Sequence, residues 1–231
     1  MSEQQLSGPI AAVIFDMDGV LVDSEPFWQQ AELAVLPRYG VPLTLADTVT
    51  TKGLRIDQVV ALWHRRYPWQ GTSIHEVAEQ IVAKVAELVR TEGQPLPGVA
   101  SAIAAIQAAK LPLALATSSP RPLIEATLTR LGLTDTFMAL CSAEDLPYGK
   151  PHPQVYLKAA AALGVAPEHC LAIEDSVNGV IAAKAATMQA LAIPEAEQQQ
   201  DRRFAIADLQ FSSLTQLSPQ WLAAQQRTPS N

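Results

Sequence analysis

Short apolar runs closed by turn or polar residues alternate, along most of this chain, with segments whose apolar positions recur at helical spacing. The first run, Ile10-Ala11-Ala12-Val13-Ile14-Phe15, is rich in β-branched residues and stops at Asp16, Asp18 and Gly19. A run of this kind reads as a strand buried on both faces. From Glu25 the period changes. Phe27, Ala31, Ala34 and Val35 fall at helical spacing, Glu25 and Pro26 suit a first turn, and Gly40 suits an end. Further helices are expected over about 56–66 and 73–91, and no strand-like run interrupts 25–91. Pro95-Leu96-Pro97-Gly98 reads as a return linker. Beyond it, helices at 99–110, 122–131, 154–163 and 177–185 alternate with apolar strands at 113–116, 138–141, 170–173 and 190–193, and a last strand falls near 209–211. Gly132 and Gly164 stop two of these helices.

Such alternation implies parallel βαβ units with helices on both sheet faces. The expected fold class is therefore α/β: a doubly wound parallel-sheet core (1–24 and 95–231) with a small all-helical cap, or lid, over 25–94 inserted after the first strand. The polar tail from Gln225 reads as a frayed end.

Composition narrows the class. With 231 residues, 48% hydrophobic and 17% charged, the chain has ample material for a core and is not disordered. A net charge of −7 argues against a nucleic-acid partner. The polar stretch Met1–Pro9 lacks a charged-then-apolar leader, and no apolar run is long enough to span a membrane, so a soluble, cytoplasmic protein is expected, and a monomer because no exposed apolar helix stands out. Cys141 and Cys170 lie in apolar surroundings and read as buried thiols. His64, His75, His152 and His169 share no metal-ligand spacing.

Four strands end in groups with chemistry. In an open parallel sheet, ligands bind just outside the carboxyl ends of the strands. Asp16 and Asp18 close the first strand, and two neighbouring carboxylates stay ionised together when a cation lies between them. Thr117-Ser118-Ser119 follows the second strand at a helix start, which is either an anion site or a plain cap. Lys150, set among turn residues in Gly149-Lys150-Pro151-His152-Pro153, is either a solvated lysine or a fixed positive charge for a phosphoryl group. Glu174-Asp175 leaves the fourth strand and could complete an oxygen shell for Mg²⁺, or simply decorate a helix start. Taken together, these groups fall at one edge of one sheet with complementary charge.

The order D-x-D, Thr/Ser, Lys-Pro, Glu-Asp resembles the signature of the haloacid dehalogenase superfamily, and a helical insert directly after D-x-D is similar to its phosphatase and phosphomutase branch. The resemblance covers essentially the whole chain. The strings D-M-D-G-V-L-V-D-S-E-P, K-G-L-R-I-D, L-P-Y-G-K-P-H-P-Q-V-Y and E-D-S-V-N-G resemble the sugar- and hexitol-phosphate phosphatases of that branch. The resemblance implies Mg²⁺-dependent hydrolysis of sugar phosphates and sugar-alcohol phosphates, such as 2-deoxyglucose-6-phosphate and hexitol phosphates, with Mn²⁺ or Co²⁺ as substitute ions. It implies Asp16 as nucleophile and Asp18 as acid and base. The metal set would be Asp16, the Asp18 backbone carbonyl and Asp175, with Glu174 either a further ligand or a partner behind them. Thr117 and the Ser118 backbone would hold the phosphoryl group, with Lys150 neutralising it and a cis peptide before Pro151.

Selectivity is expected from the lid, through Lys52-Gly53-Leu54-Arg55: glycine allows close approach and arginine suits hydroxyl-rich or anionic ligands. Arg55 could equally pair with Asp57, and Trp28 and Trp69 fit either a sugar-stacking surface or lid core. Three rivals remain. A β-phosphoglucomutase-like enzyme would pass the phosphoryl group to a sugar hydroxyl instead of water. A phospho-receiver module is disfavoured by length and by the insert. A pseudo-enzyme is disfavoured because every motif position is filled.

Overall fold

The computed structural model describes residues 6, 8–51 and 53–225. The polar tail beyond Gln225, most of the N-terminal stretch and Lys52 therefore lie outside the described residues. The chain runs through β1 (Ala12–Phe15), α1 (Glu25–Val35), α2 (Leu45–Val49), α3 (Ile56–Arg66), α4 (Ile74–Glu92), α5 (Val99–Ala108), β2 (Leu113–Thr117) and α6 (Arg121–Leu131). It continues through β3 (Ala139–Ser142), α7 (Gln154–Leu163), β4 (Cys170–Glu174), α8 (Val177–Ala185), β5 (Gln189–Ala192), β6 (Leu209–Gln210) and α9 (Pro219–Gln225).

The six strands form one parallel sheet in the order β3-β2-β1-β4-β5-β6. Val13 of β1 lies opposite both Leu113 and Leu171, so β1 is central. The chain leaves β1 on one side through β2 and β3, then returns to its other side with β4. The order reverses at β1, and that is where an open sheet forms its ligand crevice.

Alternation along the strands gives the sheet two unlike faces. Val13, Phe15, Leu113, Leu115, Leu171 and Ile173 point to one side, where α5 and α6 pack. Ala12, Ala114, Ala116, Ala172, Ala190 and Ala192 point to the other, against α7 and α8. Small side chains let those helices approach closely, and the same face buries Cys141 and Cys170 as free thiols.

Helices α1–α4 form the insert expected between the first two strands. Its longest member, α4, starts at a Ser73–Glu76 capping box, in which Glu76 N donates to Ser73 Oγ (3.1 Å) and Ser73 N to Glu76 Oε2 (2.7 Å). It buries a stripe including Val77, Ile81, Val85 and Val89 and packs on α1, α3 and α6, so the insert's apolar interior is continuous with that of the sheet. The two connections to the insert run together: Val22 bridges Pro95, and Leu96 N donates to Leu21 O (3.0 Å).

Several boundaries differ from expectation. The first helix ends at Val35 and tightens into a 3₁₀ turn over Leu36–Tyr39, because Pro37 has no N–H to continue the α ladder. Gly40 then closes the turn at φ +80°. Helices α2 and α9 were not expected; both are too short for an apolar period to register. The third strand begins at Ala139 rather than Met138, which is largely exposed. No helix among the described residues is long and apolar enough to cross a membrane.

Candidate active site

The crevice at the carboxyl ends of β1, β2 and β4 opens into a cavity of about 400 Å³. Its core side carries Asp16, Asp18, Thr117, Ser118, Lys150 and Asp175. Asp16 remains tied to the sheet, its N donating to Ile173 O at 3.0 Å, and it is only 7% exposed. Lys150 projects from the loop before α7, where the Lys150–Pro151 peptide is cis as the resemblance implied. Its Nζ lies 2.8 Å from Asp16 Oδ1, but off the direction of a hydrogen bond, so that oxygen keeps no hydrogen-bond partner.

Glu174 lies beneath the cavity and is 0% exposed. Its Oε1 receives Lys150 Nζ (2.5 Å) and the Tyr156 hydroxyl (2.6 Å), while Oε2 accepts from Ser176 N (3.3 Å) and Oγ (3.1 Å). Ser176 Oγ in turn accepts from Gly179 N (3.0 Å), capping α8. The fourth strand, its helix cap and the lysine loop are thus joined at one carboxylate.

Asp16, Glu174 and Asp175 bring carboxylate oxygens within 4.8 Å of one another. Burial, reinforced by the charge of Glu174, pushes Asp16 up to about 7 despite the opposing Lys150 ammonium. Burial and the same acidic neighbours hold Asp175 well above the usual carboxylate range. Lys150 is raised, because Asp16 and Glu174 outweigh the burial that disfavours its charge. One lysine cannot neutralise three crowded acids. An oxygen-only donor set with surplus negative charge and an unpartnered oxygen on Asp16 fits a hard divalent cation such as Mg²⁺.

Asp18 is held differently, by neutral donors. Ser24 Oγ donates to Oδ1 and Ser119 Oγ to Oδ2 (2.6 Å). Trp28 Nε1 and Thr117 Oγ1 approach at 3.5 Å. Thr117 Oγ1 also accepts from Ser119 N (3.0 Å), which sets the turn after β2.

Two glycines make room for the acids. A Cβ on Gly19, itself at φ +74°, would fall 2.1 Å from Asp175 Oδ2. One on Gly179 would fall 1.9 Å from the Glu174 carboxyl carbon. Gly179→Ala is expected to destabilise the fold by about 1–3 kcal/mol, as overpacking does. The denaturation midpoint reads this, and an unchanged midpoint would show that Glu174 moves aside cheaply.

The insert supplies the opposite wall, including Trp28, Glu32, Thr51, Gly53, Leu54 and Arg55. The Arg55 guanidinium is committed elsewhere. It is paired with Asp57 through Nε and Nη2 (both 2.7 Å), and Nη1 donates to the carbonyls of Ala143 (3.0 Å) and Leu146 (2.9 Å) on the core. The Asp57 pairing weighed in the sequence is therefore present, together with a tie from insert to core. Trp28 faces the cavity. Trp69 packs within the insert on Tyr39 and His64, its Nε1 donating to Thr72 O (3.1 Å). Sequence reasoning missed Tyr156 and Glu32 altogether, and the hold of Ser24 and Ser119 on Asp18. Only their neighbourhood to the motifs could have flagged the serines.

Residues 10–187 match the family model for haloacid dehalogenase-like hydrolases. The chain belongs to this family. Over 210 residues it is 51% identical to hexitol phosphatase B of Escherichia coli K12, spanning 90% of this chain and 95% of that one. Among solved structures, CbbY from Rhodobacter sphaeroides, in complex with phosphate, superposes with a TM-score of 0.82 at 26% identity, covering 93% of this chain and 99% of that one. A β-phosphoglucomutase from Clostridium difficile shares the fold, with a TM-score of 0.80 at 23% identity over 94% and 97% of the two chains. This haloacid dehalogenase-like hydrolase is a phosphatase, as the resemblance of its longer strings implied.

Proposed function

We propose that the chain is a Mg²⁺-dependent phosphatase of sugar phosphates and sugar-alcohol phosphates, hexitol phosphates and 2-deoxyglucose-6-phosphate among them, working through an aspartyl-phosphate on Asp16. The observation that carries this is the convergence of Asp16, Asp18 and Lys150 on one cavity floored by surplus carboxylates, in a chain half identical to a hexitol phosphatase.

Asp16, Asp175 and the Asp18 carbonyl would hold the ion, with Glu174 backing them from beneath, and the ion when bound would offset charge between the Asp16 carboxylate and a phosphate dianion. The Asp16 carboxylate attacks phosphorus, and the bond from phosphorus to the sugar oxygen breaks. Asp18, in its acid form, gives that oxygen its proton. The Asp18 carboxylate then takes a proton from water as the water oxygen attacks the phosphoryl group and releases Asp16. Ser24 and Ser119 keep Asp18 aimed through both steps. Lys150 faces the non-bridging oxygens, and Thr117 with the Ser118 backbone cradles them. The insert over 25–94 acts as the cap that excludes bulk water and meets the organic part of the ester, with Gly53 and Leu54 on its cavity wall.

The test is phosphate release from 2-deoxyglucose-6-phosphate, mannitol-1-phosphate, sorbitol-6-phosphate and β-glucose-1-phosphate, with Mg²⁺ and with EDTA. Release from the hexose and hexitol esters is expected, falling at least about 100-fold in EDTA, the scale of several kcal/mol that a bound cation contributes. Conversion of β-glucose-1-phosphate to glucose-6-phosphate without release would transfer the assignment to a phosphomutase.

A further inference from the structure

One buried acid on the cavity wall belongs to none of these roles. Glu32 lies on α1 one turn beyond Trp28, about 6 Å further along the helix axis. Trp28 reaches back to Asp18, so α1 extends from the acid–base residue into the space over the phosphoryl site. Glu32 lines that same cavity but is only 6% exposed, and its Oε2 has no hydrogen-bond partner.

Donors on the insert side of the same cavity are already engaged. Thr48 Oγ1 donates to Leu45 O (2.8 Å) and Thr51 Oγ1 to Thr48 O (3.0 Å). The Arg55 guanidinium is held by Asp57 and two core carbonyls, and the Trp28 N–H is turned toward Asp18. Its neighbours on the buried side of α1, Ala31 and Val35, are apolar. A carboxyl buried without a partner costs stability, so its presence on a cavity wall needs a use. Burial, with the charge of Glu25 nearby, pushes it up to about 8, so the donating acid prevails near neutrality and the accepting carboxylate above it.

We propose that Glu32 is the specificity residue for the organic end of the substrate, hydrogen-bonding the hydroxyls of a neutral polyol and turning away esters that carry a second anion there. This rests on the sugar-phosphatase reading above and deepens it. A hydroxyl both donates and accepts, so it satisfies either form of Glu32. Above about pH 8, where Glu32 carries its charge, a carboxylate or second phosphate in the same place meets a like charge in a confined space, and that repulsion is the discriminating element.

Sorbitol-6-phosphate and 6-phosphogluconate differ at the end remote from phosphate, where one carries CH₂OH and the other COO⁻. Assayed about one unit above the Glu32 pKa of about 8, where its carboxylate prevails, the wild-type enzyme is expected to favour the polyol ester in kcat/KM. Glu32→Gln, which keeps shape and hydrogen bonding but removes the charge, is expected to reduce that preference at least about 10-fold, the scale of a charged hydrogen bond. Glu32→Met is expected to reduce it too while raising the thermal midpoint, because an unpartnered buried carboxyl is replaced by an apolar chain of similar length.

An undiminished preference in both variants overturns the assignment. So does a lower midpoint in Glu32→Met, which would make Glu32 a structural member of the insert. A wild-type enzyme that releases phosphate from neither ester would instead overturn the sugar-phosphatase reading itself.

Discussion

Replacing Asp16 with asparagine is expected to lower phosphate release by about four orders of magnitude or more, the scale seen when a covalent nucleophile is removed. The substitution keeps the shape of the side chain and its N–H bond to Ile173, but an amide does not attack a phosphate ester. It should not unfold the protein. Asp16 is crowded by Glu174 and raised by burial, so a neutral side chain there relieves repulsion. The thermal midpoint of Asp16→Asn is therefore expected to equal or exceed that of the wild type. Loss of turnover with a retained midpoint supports the nucleophile assignment, and near-normal turnover removes it.

The second large effect concerns Asp18. Its two oxygens are held by Ser24 and Ser119, which fix its direction without adding charge. Asp18→Asn leaves Asp16 free to attack but removes both the proton for the leaving alkoxide and the base for water. Turnover is expected to fall about 10²–10⁴-fold, the contribution of a placed acid–base group. The two half-reactions should suffer unequally. A good leaving group needs little protonation, so with an aryl phosphate the enzyme should phosphorylate itself and then stall. Rapid-quench kinetics would show a burst close to one phosphate-equivalent per chain, and intact mass spectrometry a single added phosphoryl group. The same steady rate as the wild type, with no burst, would take the acid–base role away from Asp18.

What the sequence discloses follows from how local the cause is. Three of the cavity's strands end where an apolar run meets a polar residue and a turn-rich loop carries Lys150 after a fourth, so Asp16, Thr117, Lys150 and Glu174 could be placed near one sheet edge from pattern. The helices α7 and α8 have the bounds their period predicts, Gln154–Leu163 and Val177–Ala185. The insert was legible too, as a long stretch with no strand-like run.

Interactions made across the fold were not. Tyr156 meets Glu174 only because α7 packs across β1, β2 and β3 and brings its first turn to the end of β4, and nothing in its own helix marks it. Glu32 shares the inward face of α1 with Trp28, Ala31 and Val35, but helical spacing does not say whether that face meets core or cavity. Arg55 offered two readings of equal merit, and its choice depends on carbonyls some ninety residues away. The order of Trp28 and Trp69 along the chain gave no sign that one would reach the cavity and the other only its own helices.

The Arg55 tie has an evolutionary side. On the core it ends on the carbonyls of Ala143 and Leu146, and every residue has a carbonyl. Between them, Glu144 and Asp145 are exposed. Replacements along that loop that keep its backbone path leave the acceptors in place, so the core side of the joint is free to drift. The insert side has no such latitude, because a lysine there lacks the fork that grips Asp57 and reaches two carbonyls at once. The joint is tolerant on one side and brittle on the other. A lineage can therefore remodel the loop after β3 while the cavity's floor and its helical wall keep the same registration, provided one guanidinium persists.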